Sequence, residues 1–375
     1  MHQQIISSVH SVSAPVRVLG IETSCDETAA AVVTRGQQET GNIEANIIRS
    51  QWEAHREFGG VVPEIAARAH VECLDEIIEM ALAEAGIGLS EIDVIAATAG
   101  PGLIGGLLIG LTTAKAMAFA SQKPFVAVNH LEAHALTVGL TNGLAPPYLL
   151  LLVSGGHTQT VLVEAIGQYR RIGTTIDDAL GEAFDKTAKL LDLGFPGGPA
   201  VERYARDGDP NRFDFPVPLK GRSEPHFSFS GLKTAVRRRA EKLAPLSLGD
   251  ISDLCASFER AVCESVRDRI ARAYEVVATD HAYSCAGLPL VAAGGVARNQ
   301  RLRQTLEQIA QEAGTDLVVP PPELCTDNGA MIAWAGAERY IRGWTSSMNC
   351  AARARWPLDE ISAAVYGSGK HGAKA

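Results

Sequence analysis

Val16-Arg17-Val18-Leu19-Gly20-Ile21-Glu22-Thr23-Ser24-Cys25-Asp26-Glu27-Thr28, continued by Ala29 to Thr34, carries the signature of the fold. A β-type run from Val16 to Ile21 meets a polar cluster, and a second apolar run resumes at Ala29, the pattern of a hairpin. The pattern returns later: Leu149 to Val153 lead into Ser154-Gly155-Gly156-His157-Thr158, and the apolar run Thr160 to Val163 follows. A repeated strand-turn-strand predicts a duplicated domain. Between the two, Ile65, Ala69, Leu74, Ile77, Ile78, Ala81 and Leu82 recur at helical spacing, predicting an amphipathic helix from Pro63 to Ala85 that stops at Gly86. Asp93 to Ala97 reads as a buried strand ending in Thr98-Ala99-Gly100-Pro101-Gly102, with a helix from Leu107 to Ala120. After the second hairpin come a long helix over Ser252 to Ala278, a strand from Leu288 to Ala293 running into Gly294-Gly295, and a helix from Gln300 to Ala313. The class is α/β.

These elements predict an organisation of four parts. Residues 1–16, which contain no Lys or Arg, read as a disordered extension rather than a secretory or transit signal. Residues 17–147 form an N-terminal lobe, 148–344 a C-terminal lobe with an irregular insertion near 195–245, and 345–375 a tail.

With 375 residues the chain is long enough for two or three domains with their own cores. Hydrophobic residues at 46% and charged residues at 21%, with mean hydropathy +0.05, exclude a disordered or fibrous chain. No uninterrupted apolar run approaches the ~18–20 residues that span a bilayer, so a soluble protein is expected. The seven cysteines, at 25, 73, 255, 263, 285, 325 and 350, are odd in number and never spaced C-x-x-C. That disfavours a disulfide framework and a zinc ribbon and fits a reducing cytoplasm. The net charge of −9 argues against nucleic-acid binding driven by overall charge. The charge is uneven, however: residues 1–210 carry 13 Lys/Arg against 25 Asp/Glu, and residues 211–375 carry 21 against 18. A polyanion would therefore meet the second half, where Arg237, Arg238 and Arg239 with Lys233 and Lys242 form the densest basic cluster. A solvated helix face fits those arginines equally well.

Five motifs could carry chemistry. His130 and His134 lie four apart, which on a helix places both rings on one face within reach of one metal ion, although two core histidines share that spacing. In the zincin pattern Glu follows the first His directly; here Leu131 holds that place, and Glu132 would face away from the metal. Ser154 to Thr158, after a buried strand, is either a tight turn or a phosphate cradle of glycine amides and hydroxyls. Ala293-Gly294-Gly295-Val296-Ala297-Arg298-Asn299 again joins a strand to a helix, where a nucleotide could lie against bare backbone. Asp327, where a loop gives way to a helix, is either an N-cap or the carboxylate of a His-His-Asp metal site. Glu22, Asp26 and Glu27 are either a solvated turn or, through Asp26, the means of orienting a phosphate-bound cation through water.

The segments Val18–Thr28, Gly59–Glu64, His130–His134, Leu152–Thr158, Gly181–Lys186, Phe195–Pro199, Phe227–Gly231, Gly294–Asn299 and Cys325–Ala330 together, in this order, resemble the bacterial TsaD family of tRNA N6-adenosine threonylcarbamoyltransferases. The resemblance covers about Arg17 to Trp344. It implies an actin-like, sugar-kinase-like (ASKHA) ATPase fold of two lobes with a duplicated core. It also implies transfer of a threonylcarbamoyl group from threonylcarbamoyl-adenylate to N6 of adenosine 37 in tRNAs reading codons that begin with A, with release of AMP. By matching motifs, His130, His134 and Asp327 would hold one divalent metal ion, Fe2+ ahead of Zn2+, with Mg2+ accompanying a nucleotide. Leu152, Val153, Ser154, Gly155, Gly156, Asp185, Gly198 and Asn299 would bind the adenylate, Glu202 would reach the ribose, and Asp26 would act near the phosphates. Arg237, Arg238 and Arg239 would meet the tRNA backbone. Arg298 departs from the family pattern, where a small residue is common. The implied partners are a paralogous dimer subunit, TsaB, and an ATPase, TsaE, in the cytoplasm and away from membranes.

Readings of other classes make distinguishable demands. A small-molecule kinase of this fold needs a carboxylate base beside a hydroxyl and has no use for two histidines on one helix. A non-catalytic partner subunit would lack the metal ligands, and a metallopeptidase is disfavoured by the place of Glu132.

Overall fold

The computed structural model describes residues 14–36, 40–279, 287–362 and 365. Most of the predicted N-terminal extension, Cys285 and the last part of the predicted tail lie outside the described residues.

The chain divides into two compact units. The first is built on a five-stranded sheet of β1 (Val16–Glu22), β2 (Glu27–Arg35), β3 (Gly41–Ser50), β4 (Val94–Gly100) and β5 (Phe125–Asn129), in the order β3-β2-β1-β4-β5. β1 to β3 are an antiparallel meander, whereas β4 and β5 run parallel to β1. After β3 come the short α1 (Trp52–His55), then α2 (Pro63–Glu84), α3 (Ile104–Ser121) and α4 (His130–Asn142).

The second unit repeats the order with β6 (Tyr148–Val153), β7 (Thr158–Ala165), β8 (Gln168–Thr174), β9 (Leu290–Ala293) and β10 (Leu317–Val318), arranged β10-β9-β6-β7-β8. Again the first three strands are antiparallel and the last two parallel to the first. Its helices are α5 (Leu180–Leu190), α6 (Gly197–Ala205), α7 (Ser230–Leu243), α8 (Leu248–Thr279), α9 (Gln300–Glu312) and the short α10 (Pro322–Cys325); α11 (Gly329–Tyr340) returns to the first unit. Both predicted hairpins are present, and the duplication they suggested extends to all five strands.

Central strands of the first sheet are apolar on both faces because both faces are covered. Leu19, Ile21 and Ile95 pack with Leu74, Ile77 and Leu111 in one core, and α11 lies across β1, β2 and β4. Each such aliphatic side chain contributes about 1.5–3 kcal/mol by leaving water. In the second unit the long α8 supplies the matching face, with Phe258 edge-on to Phe184 at 5.1 Å.

Three details differ from the sequence expectations. The units exchange at residues 144/145, but residues 327–357, expected in the second lobe and the tail, belong to the first unit, because α11 supplies its sheet's missing cover. The span near 195–245 is not irregular throughout: α6 and α7 lie within it, and the loop between them runs over residues 206–229. Among the described residues one helix, α3, is long and apolar enough to cross a membrane by length and composition, with mean hydropathy 1.4. Its Gly106, Leu107, Leu111, Ala114 and Ala118 are buried in the first unit.

Candidate functional site

In the first unit, β5 ends at Asn129, whose side-chain oxygen accepts from the backbone N–H groups of Leu131 (2.9 Å) and Glu132 (3.4 Å), starting α4. His130 is therefore the first residue of the helix and His134 lies one turn on, the two rings edge to face at 4.7 Å. Both approach the same oxygen: His134 Nε2 is 3.1 Å and His130 Nε2 3.4 Å from Asp327 Oδ1. Ligand atoms of the three residues lie within 4.8 Å of one another. Donors about 2.1 Å from a common ion are about 3.0 Å apart at a right angle and about 3.4 Å apart at the tetrahedral angle, so the two histidine–aspartate separations fit one metal ion.

The rest of the arrangement fits too. His130 Nδ1 donates to Glu22 Oε2 at 2.9 Å and lies 3.2 Å from Ser24 Oγ. A carboxylate on the far nitrogen fixes the tautomer and turns Nε2 towards Asp327. Glu22 is fully buried, and a buried carboxylate must be satisfied. It accepts from Ser24 N (2.5 Å) and Thr98 Oγ1 (2.6 Å) as well as from His130. Burial alone would discourage charge on these groups, but the attraction is stronger. Asp327 and Glu22 hold His130 well above the usual histidine range, while the histidines hold Asp327, and His130 holds Glu22, below the usual carboxylate range. Next to them, burial, with Asp327 and Asp26, pushes Glu27 well above its ordinary value, and burial with Asp26 does the same to Cys25. Glu22, Asp26, Glu27 and Asp327 crowd one another.

Asp327 is not the helix cap: Asn328 takes that role, its Oδ1 accepting from Met331 N at 2.9 Å, which leaves Asp327 to the histidines. Glu132 is buried and paired with Arg339 Nη1 at 2.8 Å, so it does not serve as a base beside the histidines. Asp26 sits in the turn between β1 and β2, its carbonyl accepting from Gln51 N. Behind that turn, buried His70 approaches the Cys25 carbonyl through Nε2 (3.1 Å) and Thr28 Oγ1 through Nδ1 (2.7 Å). Sequence reasoning did not find Ser24, Thr98 or His70, and left Glu22 in a turn of open role. A signal for Glu22 did exist: an acid closing an otherwise apolar central strand sits at the strand end where open α/β sheets place their ligands.

In the second unit the turn after β6 is closed by Ser154 N donating to the His157 carbonyl (2.8 Å) and His157 N to Ser154 Oγ (3.1 Å). Gly155 and Gly156 have ordinary backbone angles, and a Cβ on either would meet nothing within 4 Å. Gly198 shares that openness. Asp185 Oδ1 accepts from Gly197 N at 2.8 Å and so steadies the start of α6. Two expected binding residues have structural work of their own. Asn299 caps α9 through Leu302 N (2.9 Å) and donates to Glu259 Oε1 (2.7 Å); Glu202 Oε1 accepts from Gln300 N (3.0 Å) at the same helix start. Arg237, Arg238 and Arg239 are exposed on α7, with Arg237 3.8 Å from Glu241 and Arg239 over the Phe213 ring.

The family model described as TsaD, tRNA N6-adenosine threonylcarbamoyltransferase, matches residues 42–334. Proteins of that name from Brucella suis, Brucella ovis and Brucella abortus are each 61% identical over 360 residues, covering 96% of this chain and all of theirs. Among solved structures, HypF from T. kodakarensis is similar with TM-score 0.57 at 16% identity, over 89% of this chain and 50% of that one. An activator of 2-hydroxyisocaproyl-CoA dehydratase from Clostridium difficile, solved with ADPNP, is similar with TM-score 0.50 at 14% identity, over 88% and 96%. At such identities the structures share a fold, the actin-like ATPase fold with its duplicated sheet.

Proposed function

The chain belongs to the tRNA N6-adenosine threonylcarbamoyltransferase family, and on that premise we propose that it takes the threonylcarbamoyl group from threonylcarbamoyl-adenylate to N6 of adenosine 37 in tRNAs reading codons that begin with A, releasing AMP. The observation that carries this reading is the meeting of His130, His134 and Asp327 at one point, with Glu22 behind His130.

The exocyclic amine of adenine is a weak nucleophile, so the acyl donor must arrive activated and be held still. A mixed carbamic-phosphoric anhydride brings the activation. A divalent ion held by the histidines and Asp327, with Fe2+ placed ahead of Zn2+ by the family resemblance, would supply Lewis-acid polarisation of carbonyl or phosphoryl oxygen when bound. The protein's own residues do the rest. Asn129 and Glu22 orient the histidine rings, and Asp26 adds negative charge beside them. In the second unit the exposed amides of Gly155 and Gly156, with Ser154 and Gly198, take the adenylate phosphate and ribose, while Asp185, Glu202 and Asn299 fix the backbone around them.

The partners follow from surface chemistry and family together. Val71 on α2 and Leu108 and Phe119 on α3 are 64%, 50% and 78% exposed, apolar side chains that a paralogous TsaB-type subunit would cover. An ATPase of the TsaE type completes the assembly, in the cytoplasm. Mass spectrometry of tRNA nucleosides after depletion of the protein and rescue tests the function. Rescue by the wild-type chain restores threonylcarbamoyladenosine, and rescue by His134→Ala does not. Unchanged modified nucleoside after complete depletion would refute the reading.

A further inference from the structure

We propose that residues 345–357 are a strap whose backbone carbonyls hold the metal-binding end of α4 in place, with Asn129 as the positioning residue between strap and histidines. The proposal rests on the reading of His130, His134 and Asp327 as metal ligands and adds to it what keeps them aligned.

The strap is tied down along its length within the first unit. Ser346 N donates to the Phe125 carbonyl at 2.8 Å, and Ala127 N to Ser346 Oγ at 2.9 Å, so it starts beside β5. Lys115 Nζ donates to the Cys350 carbonyl. Arg353 N donates to the Ala99 carbonyl at 2.7 Å, and Gly102 N to the Ala354 carbonyl at 3.3 Å. The guanidinium of Arg353 lies 4.8 Å from the centre of the Trp356 ring.

Two routes lead from the strap to His130. On the first, Asn129 Nδ2 donates to the Trp356 carbonyl at 3.0 Å. A side-chain amide can turn over, and only one orientation presents its oxygen to the N–H groups of α4. The strap carbonyl accepts from the amine end and selects that orientation. His130 is the next residue, so the cap sets where its ring starts. On the second route, the loop after β4 is held by Ala354 and in turn holds Ser24, since Leu103 N donates to the Ser24 carbonyl at 2.8 Å. Ser24 Oγ lies 3.2 Å from His130 Nδ1. The backbone requires the approach to be close: Gly100 has φ +145°, and a Cβ there would lie 2.0 Å from the Arg353 carbonyl oxygen.

Binding of Co2+ to the full-length protein, followed by its visible absorption and by chelator competition, tests this. Wild type must bind Co2+ and His134→Ala must not; failure of that pair refutes the ligand assignment and leaves the strap without a purpose. Given that pair, Asn129→Asp keeps an acceptor for the N–H groups of α4 but has no donor for Trp356. Gly100→Ala sets a Cβ against the Arg353 carbonyl of the strap and leaves the Asn129 side chain unchanged. Both should bind Co2+ about ten-fold more weakly and with a shifted spectrum, the lower end of what outer partners of a metal ligand contribute. Ile77→Ala, in the core of the same unit, is the control for general destabilisation: compared at matched loss of melting temperature, it should keep the wild-type spectrum and affinity. Wild-type Co2+ binding in Asn129→Asp and Gly100→Ala would overturn the proposal, as would an equal loss in Ile77→Ala.

Discussion

Two glycine turns that read alike in the sequence do opposite things in the structure. The one after β4 and the one after β6 both close a buried strand and both offer bare backbone. In the first unit the space at the glycines is already filled: a Cβ on Gly100 would strike the Arg353 carbonyl oxygen at 2.0 Å, and one on Gly102 would lie 2.7 Å from the Ser24 carbonyl oxygen. In the second unit Gly155 and Gly156 face open space and adopt angles open to any residue. Neither the chain's neighbours nor its conformation calls for glycine there. Glycine in the first turn serves packing beside the His130–His134–Asp327 cluster; in the second, on the proposed function, it leaves room for the adenylate. The two regions should therefore fail separately.

The largest expected effect is on the side-chain centre. His134→Ala should remove the bound metal and abolish threonylcarbamoyl transfer, while AMP or an adenylate analogue still binds as to wild type. Metal analysis and calorimetry on one preparation check both halves, and loss of adenylate binding along with the metal would break the separation. Glu22→Gln comes next. It keeps shape but removes the charge that orients His130, so chelator competition should show metal affinity lowered about 10- to 100-fold.

Gly156→Val sharpens the other half. Its side chain enters space empty of protein, so the melting temperature should hold within a few degrees while affinity for an adenylate analogue falls about ten-fold and metal content is unchanged. A large loss of stability would mean that the glycine serves the fold after all. On the outer face, Leu108→Glu or Val71→Glu should reduce co-purification with a TsaB-type partner several-fold without touching metal content. An unaltered complex would remove this surface from the interface.

What the sequence made legible divides along the same line. Period and punctuation showed both hairpins, α2, α3, α8, α9 and the strand entering Gly294, because a strand or helix with one buried face repeats its pattern locally. The spacing of His130 and His134 was legible for the same reason. The return of α11 and the strap to the first unit was not, since nothing local in residues 327–357 says which sheet they cover. Glu22 escaped assignment because its burial depends on Thr98 and His130, 76 and 108 residues away. Asn299 and Glu202 matched binding positions by motif, yet both are engaged with the start of α9. A motif names the residue; only packing says which of its atoms remain to do something else.

The smallest expected effect tests the basic cluster on α7, which lies in the second unit but outside both turns. Of its three arginines, Arg237 is near Glu241 and Arg239 stacks over Phe213, so part of the cluster's charge is already engaged within the protein. Arg238 is exposed, and no ion pair or ring contact involves it among the described residues. It is therefore the member best placed to release a counterion from a phosphate. With a net charge of −9 working against it, one such contact adds little affinity, but it should be visible in the salt dependence. Arg238→Ala should lower tRNA affinity a few-fold at low salt and flatten the slope of log affinity against log salt by about 0.7–0.9, as one phosphate contact predicts. Metal and adenylate binding should stay as in wild type. An unchanged slope would assign the three arginines to a solvated helix face and leave tRNA to another surface.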